Sequence, residues 1–160
     1  IYCNVPDAFV LERAKKYDIP TTVFDRQAFR DPEKILHQLE EEQTDFIVLA
    51  GFLWLIPDFI IAAYPNRIVN IHPALLPSYG GKGMYGHHVH EAVIAAKEQE
   101  SGITIHFVNE HYDSGSIIFQ AKCPITPEDT PDSLAEKVHE LEYKYFPQVI
   151  EGTIEDILSE

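Results

Sequence analysis

Asn70 and His72 stand two residues apart in a short apolar run, Ile68-Val69-Asn70-Ile71-His72, that Pro73 stops. In an extended strand this spacing puts both side chains on one face of the pleat. An amide is a neutral donor and acceptor, and an imidazole gives or takes a proton near neutral pH. Together they can hold the oxyanion of a tetrahedral intermediate and donate a proton to it. The competing reading is a strand-end Asn making a turn beside a half-buried His. Asp113 lies downstream in the loop Asn109-Glu110-His111-Tyr112-Asp113-Ser114-Gly115. Its carboxylate can orient a histidine and raise its pKa, or take a proton from a nucleophile through water. A plain Asp-Ser-Gly turn explains the same residues.

Six of the eight histidines fall between His72 and His111. His87 and His90 are spaced as a ligand pair on a helix, but no Cys accompanies them and no HExxH pattern occurs. The expectation is a helix N-terminus lining a site, without a metal. His106 alternates with apolar neighbours and reads as a hydrogen-bonded core or supporting histidine. Gly80-Gly81-Lys82-Gly83 lacks the preceding strand and following hydroxyl of a phosphate-binding P-loop, and no GxGxxG is present. No GxSxG elbow exists and neither Cys has a nucleophile signature. What remains is polar acid–base chemistry without a covalent intermediate.

The elements that must position these residues alternate. Ile1–Asn4 reads as a strand, and Pro6-Asp7 opens a helix to about Tyr17. A short strand follows over Ile19–Phe24. Asp31-Pro32 is a cap with Pro at the first helical position, ahead of Ile35, Leu36 and Leu39 on one face. Phe46–Ala50 is an unbroken apolar run, the pattern of a strand buried on both faces in a parallel sheet. Pro57 starts a helix burying Ile60, Ala63 and Tyr64. A helix over about His87–Lys97 carries Val89, Ala92, Val93 and Ala96 on one side. Ile103–Val108 alternates as a half-buried strand, and Ile117–Ile125 reads as a longer one. Thr130-Pro131 repeats the cap-then-Pro signal before the stripe Leu134, Val138, Leu141, Tyr145 and Val149. This alternation predicts a three-layer, doubly wound α/β fold with a mainly parallel sheet, Rossmann-like, over a single domain 1–160. In such sheets ligands bind beyond the carboxyl ends of the strands.

Composition narrows the partners. The chain has 160 residues, with 26 acidic against 12 basic side chains and a formal charge of −14. Such a surface repels phosphate backbones, which disfavours nucleic acid and anionic membranes. No apolar run is long enough to span a bilayer. Cys3 and Cys123 allow one long-range disulfide, with reduced thiols in a cytoplasmic protein the better fit.

Taken together, the segments resemble the folate-dependent formyltransferases. Asn70-Ile71-His72-Pro73-Ala74-Leu75-Leu76-Pro77 is similar to the family's signature, and Tyr112-Asp113-Ser114-Gly115 follows where the family places its aspartate. Val48–Phe52, Ser101–Val108 and Ile117–Ala121 also look like the family, over nearly the whole chain. The opening Asn4-Val5-Pro6-Asp7-Ala8 with Leu11-Glu12-Arg13-Ala14 is most similar to its purine-synthesis branch.

The resemblance implies transfer of the formyl group of 10-formyltetrahydrofolate to the amine of glycinamide ribonucleotide. It implies Asn70, His72 and Asp113 as the catalytic triad. Asn70 would donate to the charged oxygen. A protonated His72 would stabilise it and supply a proton to the leaving nitrogen. Asp113 would keep His72 charged. Leu53, Trp54, Leu55 and Ile56, with Asn70 and Arg26, would hold the folate. Val108, Asn109, Glu110, His111 and Tyr112 would wall its pocket. Pro73 and Glu142 would meet the ribonucleotide. Trp54 stands where a basic residue is common, so stacking would replace polar contact there.

The family's first strand and its phosphate-gripping loop, roughly one strand–loop–helix unit, would precede Ile1. The expectation is therefore an N-terminally truncated member, monomeric or homodimeric. The alternatives are formyltetrahydrofolate hydrolysis and a non-catalytic folate-binding fragment. A member acting on tRNA would bring a basic C-terminal domain, against the acidic Glu151–Asp156.

Overall fold

The computed structural model describes residues 1–159. It divides into two compact units, Ile1–Thr44 and Asp45–Glu160.

In the first unit, β1 (Tyr2–Cys3) pairs in parallel with β2 (Thr22–Val23), and α1 (Phe9–Lys16) connects them. The Ile1 nitrogen donates to the Pro20 carbonyl at 2.7 Å within the βαβ unit. A four-residue helix, α2 (Arg26–Phe29), follows; the Asp25 carboxylate caps it by accepting from the Ala28 amide at 2.7 Å. Sequence periodicity misses α2 because four residues make no repeat. Asp31 accepts from the Glu33 and Lys34 amides and opens α3 (Pro32–Glu41), as its cap-then-Pro signal predicts. Ile35 and Leu39 are the buried face of that helix, and Phe24 stacks on Phe29.

The second unit holds a four-stranded sheet in the order β3 (Ile47–Leu49), β4 (Ile68–His72), β5 (Glu100–Phe107), β6 (Ile117–Pro124). The expected α/β class with parallel pairing is present, since β3 and β4 run parallel as do β1 and β2. The β4–β5 and β5–β6 pairs are antiparallel. The chain crosses from β4 to β5 through a long loop and α5 (His87–Ala95), and from β5 to β6 through the 108–116 loop. α4 (Asp58–Ala63) links β3 to β4, and α6 (Pro131–Leu158) closes the unit. α6 begins with a capping box in which Thr130 and Ser133 each satisfy the other's backbone amide.

Three burial expectations change. β3 is not buried on both faces: it is an edge strand among the described residues, and Val48 is 42% exposed. β5, read as half-buried, is buried from Ser101 to His106 because it lies between two strands and under α6. Ala63 and Ala96 are exposed, each lying in the last turn or at the cap of its helix. The core of this unit is Val69, Val89, Val93, Ile103, Ile105, Leu134 and Val138, with Ala74 and Cys123. Both cysteines are free thiols.

Candidate active site

The β4–β5 register sets the site. Asn70 pairs opposite His106 and His72 opposite Thr104. Opposed residues on neighbouring strands share a face, so Asn70, His72, His106 and Thr104 all point the same way. The His106 ring is 2% exposed. Its Nδ1–H donates to the Phe107 carbonyl at 2.8 Å. In the charged ring Nε2 carries a hydrogen toward Asp113; in the neutral ring it is an acceptor, and the Asn70 amide donates to it at 3.2 Å. His106 thereby decides which way the Asn70 amide points. One Nδ2 hydrogen is used by this bond and the second is left for another acceptor.

Asp113 arrives from the β5–β6 loop. Its oxygens lie 3.5 Å from His72 Nδ1 and 3.6 Å from His106 Nε2. The residue sits at φ +52, a left-handed conformation that Asp tolerates better than most. Gly115 lets the loop turn back: a Cβ there would fall 1.8 Å from the Phe107 carbonyl oxygen. The Gly81 amide donates to Asp113 Oδ2 at 3.0 Å. His72 Nε2 lies 2.7 Å from the Tyr79 carbonyl.

Thr104 holds the other wall in place. Its buried hydroxyl donates to the Ala74 carbonyl at 2.7 Å. It accepts from the Leu76 amide at 2.9 Å and from Gln120 at 2.8 Å. Gln120 also donates to the Leu76 carbonyl at 3.0 Å. The turn after His72, with its cis Leu76–Pro77 bond, is thus tied to the sheet by two side chains.

Burial lowers the His72 pKa below the ordinary imidazole value, against opposing pulls from Asp113 and the Tyr79 carbonyl. The shift favours the neutral ring at rest. Burial pushes Asp113 up, but His106, His72 and the Gly81 amide together outweigh it, and its carboxyl ends below the usual range. Asp113 is therefore an anion at neutral pH.

These groups open on a cavity of about 990 Å³. Asn70, His72, Asp113 and His106 line its floor. Leu53, Trp54, Leu55 and Ile56 form one apolar wall, where the Trp54 and Phe52 rings meet edge to face at 5.8 Å. Val108, Asn109, His111 and Tyr112 line another side, and Pro73 and Glu142 are also at the cavity. Burial raises the Glu142 pKa, with His139 acting against it.

Glu110, expected at the folate, is exposed on the loop and does not line this cavity; Arg26 opens α2 in the first unit. Sequence reasoning gave His106 a core or supporting role and missed its contact with Asn70. The signal was available in its parity with Thr104 along β5, opposite the Asn70 and His72 pair on β4.

His90 also lines the cavity, 3% exposed, and its Nδ1 has no hydrogen-bond partner. Burial and the neighbouring His139, His87 and His72 lower its pKa to about 4. His87 lines the cavity too and faces Glu91 and Asp132, each at 3.7 Å, while His88 faces Glu91 at 3.2 Å. Among the described residues no group of three or more His, Cys, Asp or Glu side chains is arranged to hold a metal ion. Nor is any described helix long and apolar enough to cross a membrane.

Residues 1–150 match the formyl transferase family. The chain is 42% identical over 159 residues to the chloroplastic phosphoribosylglycinamide formyltransferase of Arabidopsis thaliana, covering 96% of this chain and 54% of the relative. It is 36% identical over 154 residues to the Bacillus subtilis phosphoribosylglycinamide formyltransferase, covering 94% and 76%. The chain spans about half the length of the plant relatives it matches. The crystal structure of phosphoribosylglycinamide formyltransferase from Streptococcus pneumoniae superposes with a TM-score of 0.85 at 34% identity, covering 96% of this chain and 84% of that one. The Bacillus halodurans enzyme gives 0.83 at 37% identity, covering 93% and 76%.

Proposed function

The chain belongs to the formyl transferase family, and on that premise we propose that it moves the formyl group of 10-formyltetrahydrofolate to the amine of glycinamide ribonucleotide. The observation that carries this reading is convergence. Asn70, His72 and Asp113 come from β4 and from the β5–β6 loop, and meet with His106 on the floor of one cavity.

In the transfer the amine nitrogen bonds to the formyl carbon, the bond from that carbon to the folate nitrogen breaks, and negative charge builds on the formyl oxygen. Asn70 donates its remaining Nδ2 hydrogen to that oxygen, from an amide that His106 has already oriented. A donor fixed before the reaction costs no reorganisation when the charge appears. Asp113, anionic and beside His72 Nδ1, takes up the positive charge left when the amine adds. The His72–Asp113 pair holds the proton that the amine sheds until the departing nitrogen needs one.

The cavity suits a flat, largely apolar donor. Leu53, Leu55 and Ile56 offer apolar contact and Trp54 a stacking face. Glu142 and Pro73 stand at the cavity for the acceptor.

The test is formyl transfer from 10-formyltetrahydrofolate, run with and without glycinamide ribonucleotide. Amine-dependent consumption of the donor supports the reading. Formate release at the same rate without the amine identifies a hydrolase instead. Donor binding with neither reaction identifies a folate-binding protein.

A further inference from the structure

Tyr79 and Gly81, on either side of Gly80, each reach the His72–Asp113 pair through a backbone group. The Tyr79 carbonyl is 2.7 Å from His72 Nε2, and the Gly81 amide is 3.0 Å from Asp113 Oδ2. We propose that this segment is a clamp that fixes the His72 tautomer, keeping the proton on Nε2 and leaving Nδ1 to titrate against Asp113, and that Tyr79 is its positioning residue. The proposal deepens the formyl-transfer reading and rests on it for its functional meaning.

The tautomer follows from donor chemistry. A carbonyl oxygen only accepts, so the ring nitrogen beside it must carry hydrogen. Nε2 is therefore protonated in both the neutral and the charged imidazole. The proton that comes and goes is on Nδ1, 3.5 Å from the Asp113 carboxylate. The charged and titratable groups near the ring are Asp113, His106 and His90. None of them approaches Nε2 in place of the Tyr79 carbonyl, whose 2.7 Å contact already occupies it.

The segment takes a shape that must be imposed. Tyr79 has φ +56, which is unfavourable for a residue with a Cβ. Its hydroxyl donates to Glu98 Oε1 at 2.7 Å, just past the end of α5. This tie holds the strained residue from outside while its carbonyl faces inward. Gly80 is a steric requirement: a Cβ there would lie 2.5 Å from the Leu76 side chain and 3.2 Å from the Asp113 Cβ. Thr104 and Gln120 anchor the Leu76 end of the same loop to the sheet.

The experiment is long-range nitrogen–proton NMR on protein labelled with nitrogen-15 in the histidine rings. The His72 signals are assigned by their loss in His72→Gln. At neutral pH the wild-type ring should show hydrogen on Nε2 and a bare Nδ1. Tyr79→Phe removes only the tie to Glu98, at an exposed edge of the loop, and should mix in the Nδ1–H tautomer. It should also lower kcat about fivefold, the equivalent of one neutral hydrogen bond, with KM for the formyl donor unchanged. Glu98→Gln keeps an acceptor and should retain the wild-type tautomer, while Glu98→Ala should behave as Tyr79→Phe.

A wild-type ring with hydrogen on Nδ1 overturns the clamp. A tautomer unmoved by Tyr79→Phe overturns the role of Tyr79. The spectrum is read without turnover, so the two claims separate. Nε2–H in a protein that transfers no formyl group contradicts the function and upholds the clamp. Nδ1–H in an active transferase does the reverse.

Discussion

β1 and β2 pair over two residues each, and Val23 is half exposed. β4 and β5 pair over four, and Val69, Ile103 and Ile105 are wholly buried. The first unit also leaves Ile1, Val5, Phe9, Tyr17 and Ile19 exposed around a small cluster of Phe24, Phe29, Ile35 and Leu39. The second buries six polar side chains, His72, His90, Ser101, Thr104, His106 and Thr153. Burying polar groups costs free energy unless each finds a partner. Thr104 and His106 are fully partnered, and His72 has the Tyr79 carbonyl. Precision at the site is therefore built from interior hydrogen bonds. The first unit has no such demand and rests on local pairing and caps.

Substitutions in the two units sharpen this contrast, beginning with the core. Ile103→Ala should destabilise the protein by about 2–5 kcal/mol, the usual range for truncating a buried isoleucine. Val23→Ala should cost well under about 1 kcal/mol, as surface changes do. Denaturant titration of both variants measures the difference, and equal losses would erase the distinction between the units.

Thr104→Val keeps the shape of the side chain and removes its hydroxyl. The Leu76 amide and the Ala74 carbonyl then lose a partner, for a cost of about 1–3 kcal/mol. Because that loop carries Tyr79 and Gly80, kcat should fall as well. A variant with unchanged activity would show that the loop holds its place without Thr104.

The helix caps should cost the same in either unit. Asp31→Ala in the first and Thr130→Ala in the second each remove a side-chain acceptor from a helix start, worth about 1 kcal/mol. Thermal melting reads both. A much larger loss at Thr130 would mean that α6 needs its cap to close the core.

Acid gives the most local test. His90 has a folded pKa of about 4 against an ordinary 6.5. Between those values the unfolded chain binds more protons than the folded one, so stability falls as pH drops from 6.5 to 4 and is level above. His72, also lowered, adds a loss of the same sign. His90→Gln should flatten the slope in that window. A slope that persists unchanged assigns it to other groups.

Much of the fold is legible in the residues. Pro73 marks the end of β4 where the structure ends it, and Asp31-Pro32 and Thr130-Pro131 mark two helix starts. That Asn70 and His72 share a face is legible from their spacing, whereas Asp113 joins them only through the family resemblance. What escapes is of two kinds. Alternation along β5 cannot tell an exposed polar residue from a buried, hydrogen-bonded one, so Thr104 goes unread, and His106, read as a hydrogen-bonded core or supporting histidine, gives no sign of its partner. The Tyr79 and Gly81 contacts are made by backbone, which every residue shares, so no residue type announces them. The exposed Val48 is a third case: an apolar run records what can be buried, and the neighbouring strands decide whether it is.

The central claim is that Asn70, oriented by His106 and facing the cavity, stabilises the charge that develops during formyl transfer. The most direct measurement is kcat for transfer from 10-formyltetrahydrofolate to glycinamide ribonucleotide in Asn70→Ala, with donor affinity measured alongside. The account predicts a fall of about 100–1,000-fold in kcat, the usual cost of losing one such donor, with donor binding retained. A variant that transfers the formyl group at the wild-type rate would contradict it.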